Sequence, residues 1–232
     1  FPTRRSSDLL LAIFFMAALF IVACSKSDDN NTSGNSRLSV YLTDDPSSYD
    51  AVLIDIQDIQ VNNSTDSANG WESLHLLRPG VYDLLKFRNG LDTVLASAEI
   101  PAGKISQIRL ILGSDNSVVA NGISYPLKTP SAQQSGLKLN VQAELEAGIE
   151  YKLWLDFDAR RSIVVTGNNN FILKPVIRTY AEATSGSVKG IILPAAGVNW
   201  IYAIQHTDTI ATAKPDLLTA AFRRGGLGIG AY

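Results

Sequence analysis

The chain has 232 residues, enough for one or two domains, and a formal net charge of −2. Its single cysteine, Cys24, excludes an internal disulfide and any cysteine-built metal site. The near-neutral balance gives no basic face for nucleic acid, and abundant β-branched residues favour sheet.

Residues 9–23 are almost wholly apolar and follow Arg4 and Arg5. A bilayer crossing takes roughly 20 such residues. This shorter run, with a charged start and a small residue at its end, reads as a signal peptide over 1–23 rather than a membrane helix. Ile21-Val22-Ala23-Cys24 resembles the bacterial lipobox. The resemblance implies that the Cys24 sulfur takes a diacylglycerol and that cleavage leaves Cys24 as the acylated N-terminus. The chemistry needs a cysteine because a thiolate is the nucleophile. Acyl chains, at about 0.8 kcal/mol per buried methylene, would hold the protein on a membrane. The alternative is an ordinary cleaved signal with a free thiol. Loss of Phe1–Ala23 would remove Arg4, Arg5 and Asp8 and leave 18 basic against 21 acidic side chains, a charge of −3. Residues 1–9 resemble a translated sequencing adapter, but neither the apolar run nor Cys24 depends on them.

Residues 24–37 read as a flexible tether, because Ser25 to Arg37 offers no apolar side chain to bury. Ser27-Asp28-Asp29 resembles the acidic export signal of surface lipoproteins in the Bacteroidota, against the alternative of a merely solvated linker. The expected location is the outer membrane, facing outward.

Residues 38–183 read as an antiparallel β-sandwich. Leu38, Val40 and Leu42 alternate with Ser39, Tyr41 and Thr43, the period of a half-buried strand. Val52, Ile54 and Ile56 continue the pattern, and the apolar parity flips at Ile59 and Val61. A β-bulge near Gln57-Asp58 would restore the inward direction. Ile108, Leu110 and Leu112 share one face, as do Ile123, Tyr125 and Leu127. Leu137, Leu139, Val141, Ala143 and Leu145 alternate strictly with polar residues, and so do Tyr151, Leu153, Leu155 and Phe157. The connection Ala147-Gly148-Ile149-Glu150 suits a hairpin between these two strands. They cannot bury an apolar face alone, so a second layer is required. Residues 159–165 fit a helical turn or a short strand. Phe171 to Tyr180 reads as the last strand, with Pro175 at an edge or bulge. Many short strands with regular turns indicate a sandwich with at most one short helix.

Several stretches together resemble the domain of unknown function 4382 family, lipoprotein domains common in the Bacteroidota. They are Leu38-Ser-Val-Tyr-Leu-Thr-Asp-Asp-Pro, Gly80-Val-Tyr-Asp-Leu-Leu, Pro101-Ala-Gly-Lys-Ile-Ser-Gln-Ile-Arg, Leu155-Asp-Phe-Asp-Ala and Leu173-Lys-Pro-Val-Ile-Arg. No activity comes with the resemblance. In residues 184–232, Phe222-Arg-Arg-Gly-Gly-Leu-Gly-Ile-Gly-Ala-Tyr resembles the closing motif of carboxypeptidase-regulatory-like, prealbumin-type sandwiches. The expectation is a second, incomplete β-sandwich of that Ig/prealbumin-like type, truncated at Tyr232.

Four aspartates, Asp44, Asp45, Asp50 and Asp55, gather around one predicted turn. Calcium takes six to eight oxygens, often from clustered aspartates, but these lack the spacing and glycine of a calcium loop. Asp44 and Asp45 are weak metal candidates against turn capping. Asp156 and Asp158 share a strand's polar face with Trp154. Paired carboxylates can serve glycoside hydrolysis, yet alternate positions on one strand also simply face solvent. Trp154 on a polar face can stack on a sugar or a partner, or lie beneath a loop or the tail. His75 and His206 fall in different predicted domains. Nucleophile-elbow, phosphate-loop and dinucleotide glycine patterns are absent from the sequence.

The expected function is therefore non-enzymatic: a surface lipoprotein acting as a binding, adhesion or structural module. Trp154, Asp156 and Asp158 are the candidate ligand contacts. No cofactor is expected. The partners are the membrane, through lipid on Cys24, and a glycan or a surface protein, with no nucleic acid. The alternatives are an assembly subunit using strand addition at an open edge and a hydrolase with an unrecognised site.

Overall fold

The computed structural model describes residues 34–64, 69–129, 135–167, 170–198, 200–230 and 232. The leader, Cys24 and the tether through residue 33 lie outside them. In chain order the strands are β1 (Asn35–Asp45), β2 (Ala51–Asn62), β3 (Trp71–Ser73), β4 (Gly80–Asp83), β5 (Thr93–Pro101) and β6 (Gly103–Leu112). Next come β7 (Ser117–Ala120), β8 (Ile123–Lys128), β9 (Leu137–Leu145), β10 (Glu150–Asp158), β11 (Ile163–Thr166), β12 (Asn170–Leu173) and β13 (Ile177–Ala181). A four-residue helix, α1 (Ala159–Ser162), separates β10 from β11. The remaining strands are β14 (Gly186–Ile191), β15 (Ile201–Gln205), β16 (Asp208–Ala213) and β17 (Ala221–Leu227).

The first sheet runs β13-β10-β1-β5 and the second β11-β12-β8-β7-β2-β6-β9, with β3 and β4 also paired to β2. The core lies between them. Leu38, Val40 and Leu42 of β1 and Leu153, Leu155 and Phe157 of β10 point in from one side. Ile54, Ile56, Ile59, Ile108 and Leu110 meet them from the other. The fold is thus all-β and sandwich-like. Most pairings are antiparallel, but β1 runs parallel to β10 and β8 parallel to β12.

The bulge in β2 lies where the parity flip places it, between Ile56 and Asp58 in the register with β6. It keeps Ile56, Ile59 and Val61 all buried. The expected hairpin between β9 and β10 does not form. β9 pairs with β6 in the second sheet, while β10 pairs with β1 and β13 in the first. The turn at 146–149 carries the chain across the sandwich, so the two apolar faces oppose each other instead of lying side by side. Alternation specifies which face turns inward; it does not specify which sheet the strand joins.

The stretch expected as one last strand is two, because Lys174 to Val176 leave the ladder. Pro175, which has no N–H to donate, sits in this break. The chain moves there from the second sheet to the edge of the first. The break is fastened by the bonds Lys174 N to Ser162 O (2.8 Å) and Asp158 N to Val176 O (2.9 Å).

Residues 32–232 form one compact unit that includes the tail. In the tail, β14 pairs with β17 and β15 with β16, both antiparallel.

Candidate functional site

The parallel register of β1 with β10, and the antiparallel register of β10 with β13, set side chains in rows across the outer face of the first sheet. Tyr41, Trp154 and Tyr180 share one row. Thr43, Asp156 and Arg178 share the next. The row of rings is a stack: Tyr41 and Trp154 have centroids 4.6 Å apart, Trp154 and Tyr180 5.7 Å apart, with planes nearly parallel in both pairs. Both faces of the Trp154 indole are therefore covered by tyrosines, and its free part is the edge. That edge donates Nε1–H to Asp92 Oδ2 at 2.8 Å.

The row of charges is tied to the tail. Arg178 Nη2 reaches Asp156 Oδ2 at 2.7 Å, and its Nη1 donates to the Gly226 carbonyl at 3.0 Å. Arg224, from β17, pairs with Asp156 through Nη2 and lies 2.5 Å from Asp45 Oδ1 through Nη1. Asp45, Asp156 and Arg224 are all buried. Breaking such a buried pair typically costs about 3–5 kcal/mol, because the other charge is left uncompensated. Gly226 makes the close approach possible. Its φ is +67°, and a Cβ there would run into the Tyr180 ring.

Asp44 points inward, on the same parity as Leu42. Its Oδ1 accepts the Ala159 N–H at 3.0 Å at the start of α1. Burial, before any neighbouring charge, pushes its carboxyl well above the ordinary range. Burial and then the Asp156 carboxylate push Asp45 up to about 7, against the pull of Arg224. Arg224 is itself raised: burial works against its charge, but Asp156 and Asp45 outweigh it. Burial pushes the Tyr180 hydroxyl up to about 12.

Asp158 caps α1, its Oδ1 accepting the Arg161 N–H at 2.8 Å. Asp50 and Asp55 turn elsewhere. Asp50 Oδ2 accepts the Gly122 N–H at 2.8 Å, and Asp55 accepts from Gln57 and from the Asp115 backbone. No set of three His, Cys, Asp or Glu side chains among the described residues has the placement to hold a metal ion. His75 follows β3 and His206 sits in the β15–β16 turn.

Above the charge row lies a cleft of about 300 Å³. One wall is the loop at 87–92, fastened to β1 by Asp44 N to Phe87 O (2.9 Å) and by Thr43 Oγ1, which reaches the Phe87 and Leu91 carbonyls. Asn89 and Asp92 stand on this wall, and Trp154, Tyr180, Glu182, Ser185 and Ser187 also line the cleft. Two residues that line the cleft, Asp44 and Asn89, each carry a buried side-chain oxygen, Oδ2 and Oδ1 respectively, with no hydrogen-bond partner among the described residues.

The sequence profile of the domain of unknown function DUF4382 matches residues 35–175, well over half of the chain. The chain belongs to the DUF4382 family. No curated protein and no solved structure matches it. The DUF4382 span supplies Asp44, Asp45, Asn89, Asp92, Trp154 and Asp156. Arg178, Tyr180 and Arg224, which complete the charge row and the ring stack, come from beyond it.

Of the sequence candidates, Trp154 and Asp156 meet at the site with Asp44 and Asp45, while Asp158 is used as a helix cap. Sequence reading missed Tyr41, Asn89, Asp92, Arg178, Tyr180 and Arg224. One signal was available: Arg223-Arg224 beside Gly225-Gly226 offers cations on a backbone that can come close, and buried aspartates need such partners.

Proposed function

We propose that this chain is a non-enzymatic binding module of the bacterial cell envelope, carried on a lipid at Cys24. On this reading the cleft above Asp156 takes a polyhydroxylated ligand, a glycan. The carrying observation is the polar lining of the cleft: Asn89, Asp92, Ser185 and Ser187 border it, and Asn89 carries a buried Oδ1 that has no hydrogen-bond partner among the described residues. A buried acceptor left unpaired is costly, and a sugar hydroxyl would satisfy it. Asp92 adds a further acceptor, and Trp154 holds it in place through the indole N–H. Each carboxylate that lines the cleft already has a protein partner: Asp44 accepts the Ala159 N–H, Asp92 the Trp154 indole N–H, and Glu182 pairs with Lys152, which favours recognition over turnover. The lipobox-like Ile21-Val22-Ala23-Cys24 and the acidic tether support an outer-membrane, outward-facing location. The segment 184–232 we read as a carboxypeptidase-regulatory-like, prealbumin-type unit that closes one side of the cleft.

The full chain on a glycan array tests the reading. Saturable binding is expected, lost in Asp92→Ala and Asn89→Ala while the unfolding temperature holds. No binding across a broad array would contradict it. So would turnover of a glycan or peptide that disappears in Asp156→Asn.

A further inference from the structure

A second recess lies on the other side of the 87–91 loop, between it and the tail. It is a groove of about 930 Å³, at the upper end of the range usual for small-molecule sites. Its walls are apolar: Leu85 from the turn after β4, Leu91 from the loop, Ile191 from β14, and Ala221 and Phe222 from β17. Leu91 and Ile191 are 62% and 69% exposed, so the apolar surface opens to solvent without cover from the described residues.

The rim is cationic. Lys86, Arg88, Lys189 and Arg223 line the groove against a single carboxylate, Asp216. Among the described residues, Arg88, Lys189 and Arg223 make no ion pair, and Lys86 has only a long contact of 3.9 Å to Asp83. Asp216 is tied within its own turn and feels Arg88 electrostatically, which leaves the rim with a net positive charge. It accepts from the Leu218 and Thr219 N–H groups and from the Thr219 hydroxyl, and the Thr219 backbone bond leads in holding its pKa low. Four cations around an apolar trough in a chain of net charge −2 are a local inversion of sign. A nucleic acid would want an extended basic face with polar walls; here the walls are leucine, isoleucine and phenylalanine. Electrostatic complementarity selects an anion, and the walls select an apolar body.

We propose that this groove binds a long-chain carboxylate, with the hydrocarbon against Phe222, Leu91 and Ile191 and the carboxylate among Arg88, Lys189 and Arg223. The site is distinct from the glycan cleft, although Asn89 and Arg223 border both.

The test uses the full chain and a photoactivatable fatty acid below its micelle concentration, with crosslinked peptides mapped by mass spectrometry. Mapping separates the groove from the apolar run at 9–23. The expected crosslinks fall within 85–91, 189–191 and 216–223. Oleate should compete and oleyl alcohol should compete at least about tenfold less well, the loss of one charge-assisted contact. The double variant Arg88→Glu, Lys189→Glu alters two exposed side chains and should weaken crosslinking there by a similar factor, with the circular dichroism spectrum unchanged. Equal competition by the alcohol, crosslinks confined to 9–23, or capture only on anionic vesicles and not from monomeric ligand would overturn the proposal. Glycan binding at the neighbouring cleft is read separately and does not decide it.

Discussion

Asp44 shows how much one side chain's direction matters. Its parity on β1 turns it into the end of the core, where the Ala159 N–H meets one oxygen and nothing in the described protein meets the other. Its pKa and that of Asp45 are both raised, so the folded chain holds these protons more tightly than the unfolded chain does. Their contribution to stability is fully present below the ordinary carboxylate value, near ~4. It falls as pH rises toward about 7, the Asp45 value. Asp44→Asn removes one of these charges and keeps the Oδ1 acceptor. The variant's unfolding temperature, measured against wild type, should gain from pH 4 to pH 8. A difference that stays flat across that window would place the buried carboxyl elsewhere. At this scale the sequence was legible in part. The alternation of β1 and β10 placed Trp154 and Asp156 on one outer face. It did not reveal that tyrosines would cover both indole faces, because Tyr180 arrives from a strand whose partner could not be read locally.

At the scale of elements, the alternating strands and the β2 bulge could be read along the chain, since both depend on a period of two. The β9–β10 hairpin failed because pairing is a long-range choice: a four-residue turn can close a hairpin or cross a sandwich. The docking of β17 was likewise not legible. It depends on Arg224 reaching Asp45, more than a hundred residues earlier, and on Arg178 donating to the Gly226 carbonyl. Arg224→Ala should therefore destabilise the chain by about 3 kcal/mol in denaturant unfolding and expose 184–232 to protease first. Pairing the change as Arg224→Leu with Asp45→Leu should recover much of that loss, since an apolar replacement of both partners leaves fewer orphaned charges. Gly226→Val should mimic the loosening without touching a charge, by forcing a side chain into the Tyr180 ring at a positive φ. If the tail resists protease equally in all three variants, the arginine clamp does not hold it.

At the scale of the whole molecule, the DUF4382 sandwich closes its charged row against the tail, and the proposed anchor is a lipid on Cys24 ahead of it. Cys24→Ala should move the protein from the membrane to the soluble fraction in cell fractionation while its unfolding temperature holds; retention on the membrane would sink the lipid anchor. The central claim, that the cleft recognises a glycan, is tested most directly by hydrogen–deuterium exchange of the full chain with and without the best array ligand. Added protection is predicted at residues 43–44, 89–92 and 185–187, reduced in Asp92→Ala. Protection elsewhere, or none at a saturating ligand concentration, would contradict the account.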